Sequence, residues 1–146
     1  MDIIEAFIPY LIIIAFIAFI PLLGISNAKM SGWTKLAEKY PCNEVSIGDT
    51  SSFSYMMVNN VQYNRTIDLG VNETHLYLKI SFPMNFGAKP LLIPYTAIKG
   101  KQMGWDLINR VFLTIDGVEI NMSIKDADRM VEASKGAWNY QKQPSK

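Results

Sequence analysis

The chain has 146 residues, of which 14 are basic and 13 acidic, so its formal net charge is +1. This balance provides no electrostatic field that would gather nucleic acid, and we expect no nucleic-acid partner. With one cysteine and one histidine, the chain cannot form an internal disulfide, and it lacks the ligand spacing of a metal site. The composition therefore predicts neither a disulfide framework nor a cofactor.

The first element in the chain is an uncharged apolar run from Ala6 to Ile25. An α-helix needs about 20 apolar residues to cross the hydrocarbon core of a bilayer. A cleaved signal peptide would need a positively charged n-region, whereas Asp2 and Glu5 precede this run. A buried helix of a soluble domain is rarely apolar on every face. Residues 1–28 are therefore predicted to form an uncleaved transmembrane anchor.

Two prolines lie near the ends of this run, and we expect a helix that starts about Pro9 and frays after Pro21. No Asp, Glu, Lys, Arg or His lies inside the run, so nothing in it indicates transport or a proton relay. A single helix of this kind is an anchor.

The charges beside the span predict its orientation. Lys29, Lys35 and Lys39 follow the run, whereas no Lys or Arg precedes it. Because positively charged flanks stay cytoplasmic, the N-terminus is predicted outside and the soluble domain inside the cell, anchored in the inner (cytoplasmic) membrane. The lone Cys42 suits that reducing compartment.

Residues 29–41 are predicted to form a juxtamembrane amphipathic helix, because apolar residues recur three and four positions apart and Pro41 stops the pattern. Two arrangements stay open. The aromatic residues and lysines lie in the headgroup layer, where Trp and Tyr are enriched, or the same stripe packs on the domain. The candidate contacts with the membrane interface are Lys29, Trp33, Lys35, Lys39 and Tyr40.

Beyond a predicted linker at residues 42–52, the apolar period changes to two, which is typical of strands. The first strand shows Phe53, Tyr55 and Met57 alternating with polar or small residues. Asn59-Asn60 and Asp116-Gly117 are predicted hairpin turns, since these residue types tolerate positive φ. The predicted strands are Phe53–Met57, Val61–Leu69, Leu76–Ile80, Leu91–Tyr95, Arg110–Ile115 and Val118–Met122, with a loop at Phe82–Pro90.

A helix is predicted to close the domain, which spans residues 53–137. Ser123 is its predicted N-cap with Asp126 as acidic partner, and it ends near Gly136. Residues 138–146 are predicted to be a disordered tail. The fold class is therefore α+β: an N-terminal transmembrane helix, then a small antiparallel β domain of the split-barrel type, whose open end the C-terminal helix covers.

Two segments carry a resemblance to a known group. Ser31-Gly32-Trp33, with Leu36-Ala37 and Tyr40, directly follows the span, and Pro90-Leu91-Leu92-Ile93-Pro94-Tyr95 comes later. Together they resemble small uncharacterised bacterial single-span membrane proteins with a pleckstrin-homology-like soluble domain. In those proteins a tryptophan stands at the position of Tyr95. The resemblance implies a membrane location and that architecture, and it supplies no catalytic residues. We interpret Ile93-Pro94-Tyr95 as core-forming rather than as a lipid-binding rim.

Three functions remain open. The leading hypothesis is a non-enzymatic interaction module that binds a protein partner or lipid headgroups at the cytoplasmic face. The alternatives are an accessory subunit of a larger membrane complex and an enzyme acting on a membrane substrate. The subunit would pack its helix on partners through Phe7, Phe16 and Phe19, and the enzyme would draw on His75, Asp106, Arg110 and Asp116, none of which is paired at a diagnostic spacing.

Overall fold

A computed structural model describes residues 2–43, 48–102 and 110–141. The described strands form one seven-stranded antiparallel sheet in the order β4-β3-β2-β1-β7-β6-β5, curled into a half-barrel. The elements are α1 (Ile3–Ser31), α2 (Trp33–Lys39), β1 (Asp49–Val58), β2 (Val61–Val71), β3 (His75–Ile80), β4 (Leu91–Pro94), a 3₁₀ turn (Tyr95–Ala97), β5 (Lys99–Gln102), β6 (Arg110–Ile115), β7 (Val118–Ser123) and α3 (Ile124–Ala133). The predicted α+β class, with a long apolar helix first and a helix last, is confirmed.

The apolar run belongs to one long helix. The 29 residues of α1 span about 44 Å at 1.5 Å per residue. The helix starts before Pro9 and continues past Pro21, so both predicted bounds are wrong. It ends at Gly32, whose φ of 82° breaks the helical path. Residues 2–19 are all exposed, and α1 is the one helix among the described residues that is long and apolar enough to cross a membrane.

The C-terminal part of α1 continues beyond its second proline because it packs on the β domain. Gly24, Ala28 and Ser31 recur on one face of the helix, and all three are buried. These contacts support the last turns, from which Pro21 removes one backbone hydrogen bond. The helix and the domain therefore share one hydrophobic core instead of being joined by a flexible segment.

Both predicted hairpin turns are confirmed. Asn59 and Asn60 have φ values of 43° and 68° between paired Val58 and Val61. Asp116 and Gly117 have φ values of 48° and 80° at the end of the β6–β7 pair. Two successive residues with positive φ match the twist of the flanking strands, and Asn, Asp and Gly adopt this conformation at low cost.

The first strand starts earlier than predicted and contains a bulge that the sequence did not indicate. β1 begins at Asp49, inside the predicted linker, although residues 44–47 of that linker lie outside the described part. Its register shifts twice between Ser51 and Met56, and Phe53 adopts a φ of 61°. Such a bulge re-aims the side chains that follow it. The core-facing residues are therefore Ser54, Met56 and Val58, whereas Phe53, Tyr55 and Met57 lie on the outer face.

The helices α2 and α3 lie at opposite ends of the strands. Gly32, at the start of α2, lies beside Asn59 and Val118, next to the two hairpin turns. In α3, Arg129 forms an ion pair with Asp49, at the other end of β1. The sequence predicted only the cover formed by α3.

The cap of α3 forms as predicted, but the predicted disordered tail is wrong in its first residues. The backbone N–H of Asp126 donates to Oγ of Ser123 at 3.2 Å. After the helix the chain folds back, and Trp138 and Tyr140 are buried in the core. The indole Nε1 of Trp138 donates to the carbonyl of Ile98, since a buried indole needs a hydrogen-bond acceptor. Residues 142–146 of the predicted tail lie outside the described part.

The short strand β4 lies at the edge of the sheet, where its proline is tolerated. Ile93 and Tyr95 are buried, which confirms that this segment forms core. The segment after α2 covers part of the edge, because the N–H of Leu92 donates to the carbonyl of Tyr40 at 3.0 Å and Pro41 bridges to Leu91. The chain between α2 and the sheet is thus held against an edge that would otherwise be open to pairing.

Candidate functional site at the helix–domain junction

The residues predicted at the membrane interface divide into two groups. Trp33 is 0% exposed, so its ring packs on the domain and is not available to lipid headgroups. Tyr40 is half-buried, whereas Lys29, Lys35 and Lys39 are exposed. Of the two arrangements left open by the sequence, the structure shows the aromatic stripe packed on the domain, with its lysines facing solvent.

Trp33 links α2 to two separate parts of the β domain. Its Nε1 donates to the carbonyl of Lys89 at 2.8 Å, in the segment before β4. Its ring lies 5.9 Å from the ring of Tyr63 on β2, at 55° between the planes. The hydroxyl of Tyr63 hydrogen-bonds with that of Ser31 at 3.1 Å, and burial raises the pKa of Tyr63. The end of α1, the start of α2 and the sheet are therefore fixed to one another.

A polar cluster closes the other end of α2 against the β6–β7 turn. The hydroxyl of Tyr40 donates to Oδ2 of Asp116 at 2.6 Å, and Nζ of Lys39 lies 3.0 Å from the same oxygen. The pKa of Asp116 is lowered by the hydrogen bonds from Tyr40 and then from Lys39, and the bond to Asp116 raises the pKa of Tyr40. Asp116 thus acts both as a turn residue and as the acceptor that holds α2 in place.

The loop between β3 and β4 also contacts α1. A Cβ at Gly24 would lie 3.0 Å from the carbonyl oxygen of Phe86 and 3.2 Å from that of Met84. The next residue of the helix, Ile25, is close to Gly87: a Cβ at Gly87 would lie 2.8 Å from Cγ1 of Ile25. Gly87 has a φ of 73°, which favours glycine, so both glycines permit this close approach.

The side chains considered for enzyme chemistry are not gathered into one site in the described part of the chain. Nδ1 of His75 lies 2.7 Å from Oγ1 of the neighbouring Thr74. The guanidinium of Arg110 lies 3.8 Å above the ring of Tyr55, which is a cation–π contact. Three strands separate β3, which carries His75, from β6, which carries Arg110. Asp116 belongs to the contact with α2, and Asp106 lies outside the described residues.

A shallow groove of about 190 Å³ lies on the outer face of the sheet, and the sequence did not indicate it. Met57, Asn121 and Phe112 form a row across β1, β7 and β6, because the register pairs them. Oδ1 of Asn121 is buried with no hydrogen-bond partner among the described residues. The groove is lined by Met57, Asn59, Asn60, Phe112, Glu119 and Asn121.

No metal centre can be assembled from the described residues, since no three His, Cys, Asp or Glu side chains lie together among them. Comparison of the sequence with protein-family models and with curated proteins found no match. The function of the chain must therefore be inferred from the junction between its apolar helix and its β domain.

Proposed function

We propose that the chain is a non-enzymatic interaction module anchored in a membrane by α1. The observation that carries this proposal is the exposure of the helix: residues 2–19 are exposed and predominantly apolar. A soluble monomer rarely exposes a contiguous apolar surface of this size. A bilayer would cover it without leaving backbone groups unpaired, because all hydrogen bonds of a helix are internal.

The rigid junction supports a role in positioning. Trp33, Ser31 and Asp116 connect the helices to separate parts of the β domain. A domain mounted in this way is held at a fixed height and tilt above the bilayer, whereas a flexible tether would let it move freely. The module would then present its sheet to a protein partner or to lipid headgroups at the membrane surface.

The side of the membrane is proposed from the flanking charges. Lys29, Lys35 and Lys39 follow the apolar run and are exposed, and positively charged flanks stay cytoplasmic. With the resemblance to bacterial single-span proteins, this favours an inner-membrane location with the N-terminus outside. The half-barrel with one C-terminal helix is compatible with a pleckstrin-homology-like domain, which we propose as its class.

Alkaline extraction of membranes that contain the full chain tests the anchor. We expect the protein to stay in the membrane pellet. A double variant, Ile13→Arg and Ile14→Arg, should move to the soluble fraction, because each arginine at the centre of a span costs about 2.5–3.5 kcal/mol. Lys125→Arg, outside the helix, is the control and should stay in the pellet. Extraction of the wild type at alkaline pH would contradict the anchor.

Crosslinking in native membranes tests the interaction role. Purification of the crosslinked chain should recover a protein partner or an enriched lipid, and recovery of neither would contradict it. The alternative, an accessory subunit, draws on Phe7, Phe16 and Phe19, which are all exposed on α1. In that case the chain would migrate on native gels with a large complex, and Phe16→Leu with Phe19→Leu would reduce that association.

A further inference from the structure

The loop that contacts α1 contains a second exposed apolar surface. Residues 81–88, here named the phenylalanine loop, contain no charged side chain. Phe82 is 77% exposed and Phe86 is 38% exposed. The two ring centroids lie 6.2 Å apart, so the side chains form one patch. Phenylalanine gains more than most residues from leaving water, and the described domain leaves Phe82 largely and Phe86 partly exposed.

The position of the phenylalanine loop along α1 relates this patch to the bilayer. The loop contacts Gly24 and Ile25, the last residues of the uncharged run that begins at Ala6. A run of about 20 residues matches the thickness of the hydrocarbon core, about 30 Å. The contact therefore lies where the core gives way to the headgroup region. Lys29, one turn further along α1, is exposed on the aqueous side of that level.

The backbone of the loop suits this boundary. The N–H of Met84 donates to the carbonyl of Ser81 at 3.0 Å, and that of Ala88 donates to the carbonyl of Asn85 at 3.1 Å. Turns of this kind satisfy part of the backbone internally, which lowers the cost of entering a region with little water. Lys89, which directly follows the loop, is exposed and able to reach the headgroups.

We propose that the phenylalanine loop inserts the side chains of Phe82 and Phe86 into the lipid bilayer beside α1, as a second membrane contact. This inference rests on the proposed function, since it requires that α1 spans the membrane. Because α1 and the domain form one rigid unit, a second contact beside α1 resists tilting of that unit in the bilayer. It also determines which side of the domain faces the membrane.

Single-cysteine variants of the full chain provide the test. With the one native cysteine replaced by Cys42→Ser, a cysteine is introduced at Phe82 and, in a second variant, at Phe86. Each is labelled with an environment-sensitive fluorophore and reconstituted into phosphatidylethanolamine–phosphatidylglycerol vesicles. Lipids with a nitroxide on the acyl chain then report contact by quenching.

Two matched positions separate the possible failures. Phe53 is 74% exposed and lies on the outer face of β1. It is six residues from Asn59, which lies beside Gly32 at the end of α1. At 3.3 Å per residue of strand, Phe53 is about 20 Å from Asn59. Phe53→Cys therefore reports whether an exposed phenylalanine site is quenched regardless of position. Ile14→Cys, at the middle of the uncharged run, reports whether α1 is in lipid at all.

We expect strong quenching and a blue-shifted emission at positions 14, 82 and 86, with position 53 unquenched. If the label at position 14 is quenched but the labels at positions 82 and 86 are quenched as weakly as the label at position 53, the loop insertion is overturned and the anchor stays intact. Equal quenching at 53 and 82 would also overturn it, because the contact would not be specific to the loop. An unquenched position 14 would overturn the anchor and, with it, this inference.

Discussion

Replacement of Trp33 by alanine is the perturbation that tests the junction most severely. The indole is fully buried, contacts the ring of Tyr63 and donates to the carbonyl of Lys89. Truncation of a buried tryptophan to alanine costs about 3–5 kcal/mol, through lost transfer free energy and the cavity that remains. That range includes the cost of leaving the carbonyl of Lys89 without its donor, which by itself is about 1–3 kcal/mol. We therefore expect a loss of about 4 kcal/mol in the free energy of unfolding.

The assay is urea unfolding of the full chain in detergent micelles, followed by the circular dichroism of the sheet. With an m-value of about 2 kcal/mol/M, a loss of about 4 kcal/mol lowers the midpoint by about 2 M. Trp33→Phe keeps most of the ring but not the N–H, and should cost about 1–3 kcal/mol because the Lys89 carbonyl loses its donor. Phe53→Ala removes an exposed aromatic side chain and should change stability by less than about 0.5 kcal/mol.

A different result would refute this account of Trp33. If the indole were an anchor in the headgroup layer, Trp33→Ala would unfold at the same urea concentration as Phe53→Ala. The variant would then be released more readily from vesicles without loss of domain stability. Such a pair of results would place α2 on the membrane and not on the sheet.

Three further predictions concern other contacts. Gly24→Val should separate α1 from the phenylalanine loop, because the carbonyl oxygen of Phe86 would lie 3.0 Å from the new Cβ. Limited proteolysis should then cut the loop faster than in the wild type. An unchanged rate of cleavage would contradict the contact. The lowered pKa of Asp116 means that its stabilising contribution is complete above its ordinary value of 3.8 and is lost as the pH falls through the lower folded value. Urea midpoints measured on acidification should therefore fall more for the wild type than for Asp116→Asn, and parallel curves would contradict this. Burial and the bond to Asp128 raise the pKa of Tyr140 from 10.0 to about 12, which favours the neutral phenol in the fold. Stability should therefore decrease between these pH values, and it should decrease less in Tyr140→Phe; equal losses in the two proteins would contradict this.

Turns and caps were predictable because their chemistry is local. Asn59-Asn60 and Asp116-Gly117 need only residues that accept positive φ between two apolar alternations. The Ser123 cap likewise needs a hydroxyl three residues before a backbone N–H. Such signals are complete within a few residues, so tertiary packing had little opportunity to override them.

The features that the sequence did not predict depend on contacts between distant segments. The bulge around Phe53, and the burial of Ser54, Met56 and Val58 on β1, are not revealed by the alternation of residue types alone. Trp138 and Tyr140 follow a helix end and resemble a tail until the core that receives them is known. The predicted fraying after Pro21 followed from local backbone chemistry and omitted the packing of Gly24 on the domain.

The candidate site was predicted only in part. The sequence identified the segment of Trp33 and Tyr40 and both of its arrangements, but it offered no means of choosing between them. The choice depends on Lys89 and Asp116, which lie 56 and 76 residues further along the chain from their respective partners. The phenylalanine loop was identified as a loop, and its place beside α1 became apparent only from the fold.

We propose above all that α1 spans the membrane and holds the β domain at its cytoplasmic face. A pair of topology reporters fused after Lys146, one active only in the cytoplasm and one only outside the inner membrane, tests it most directly in bacterial cells. The account predicts that the cytoplasmic reporter is active and the external reporter silent. Activity of the external reporter alone would place the β domain on the opposite side of the membrane and contradict the account.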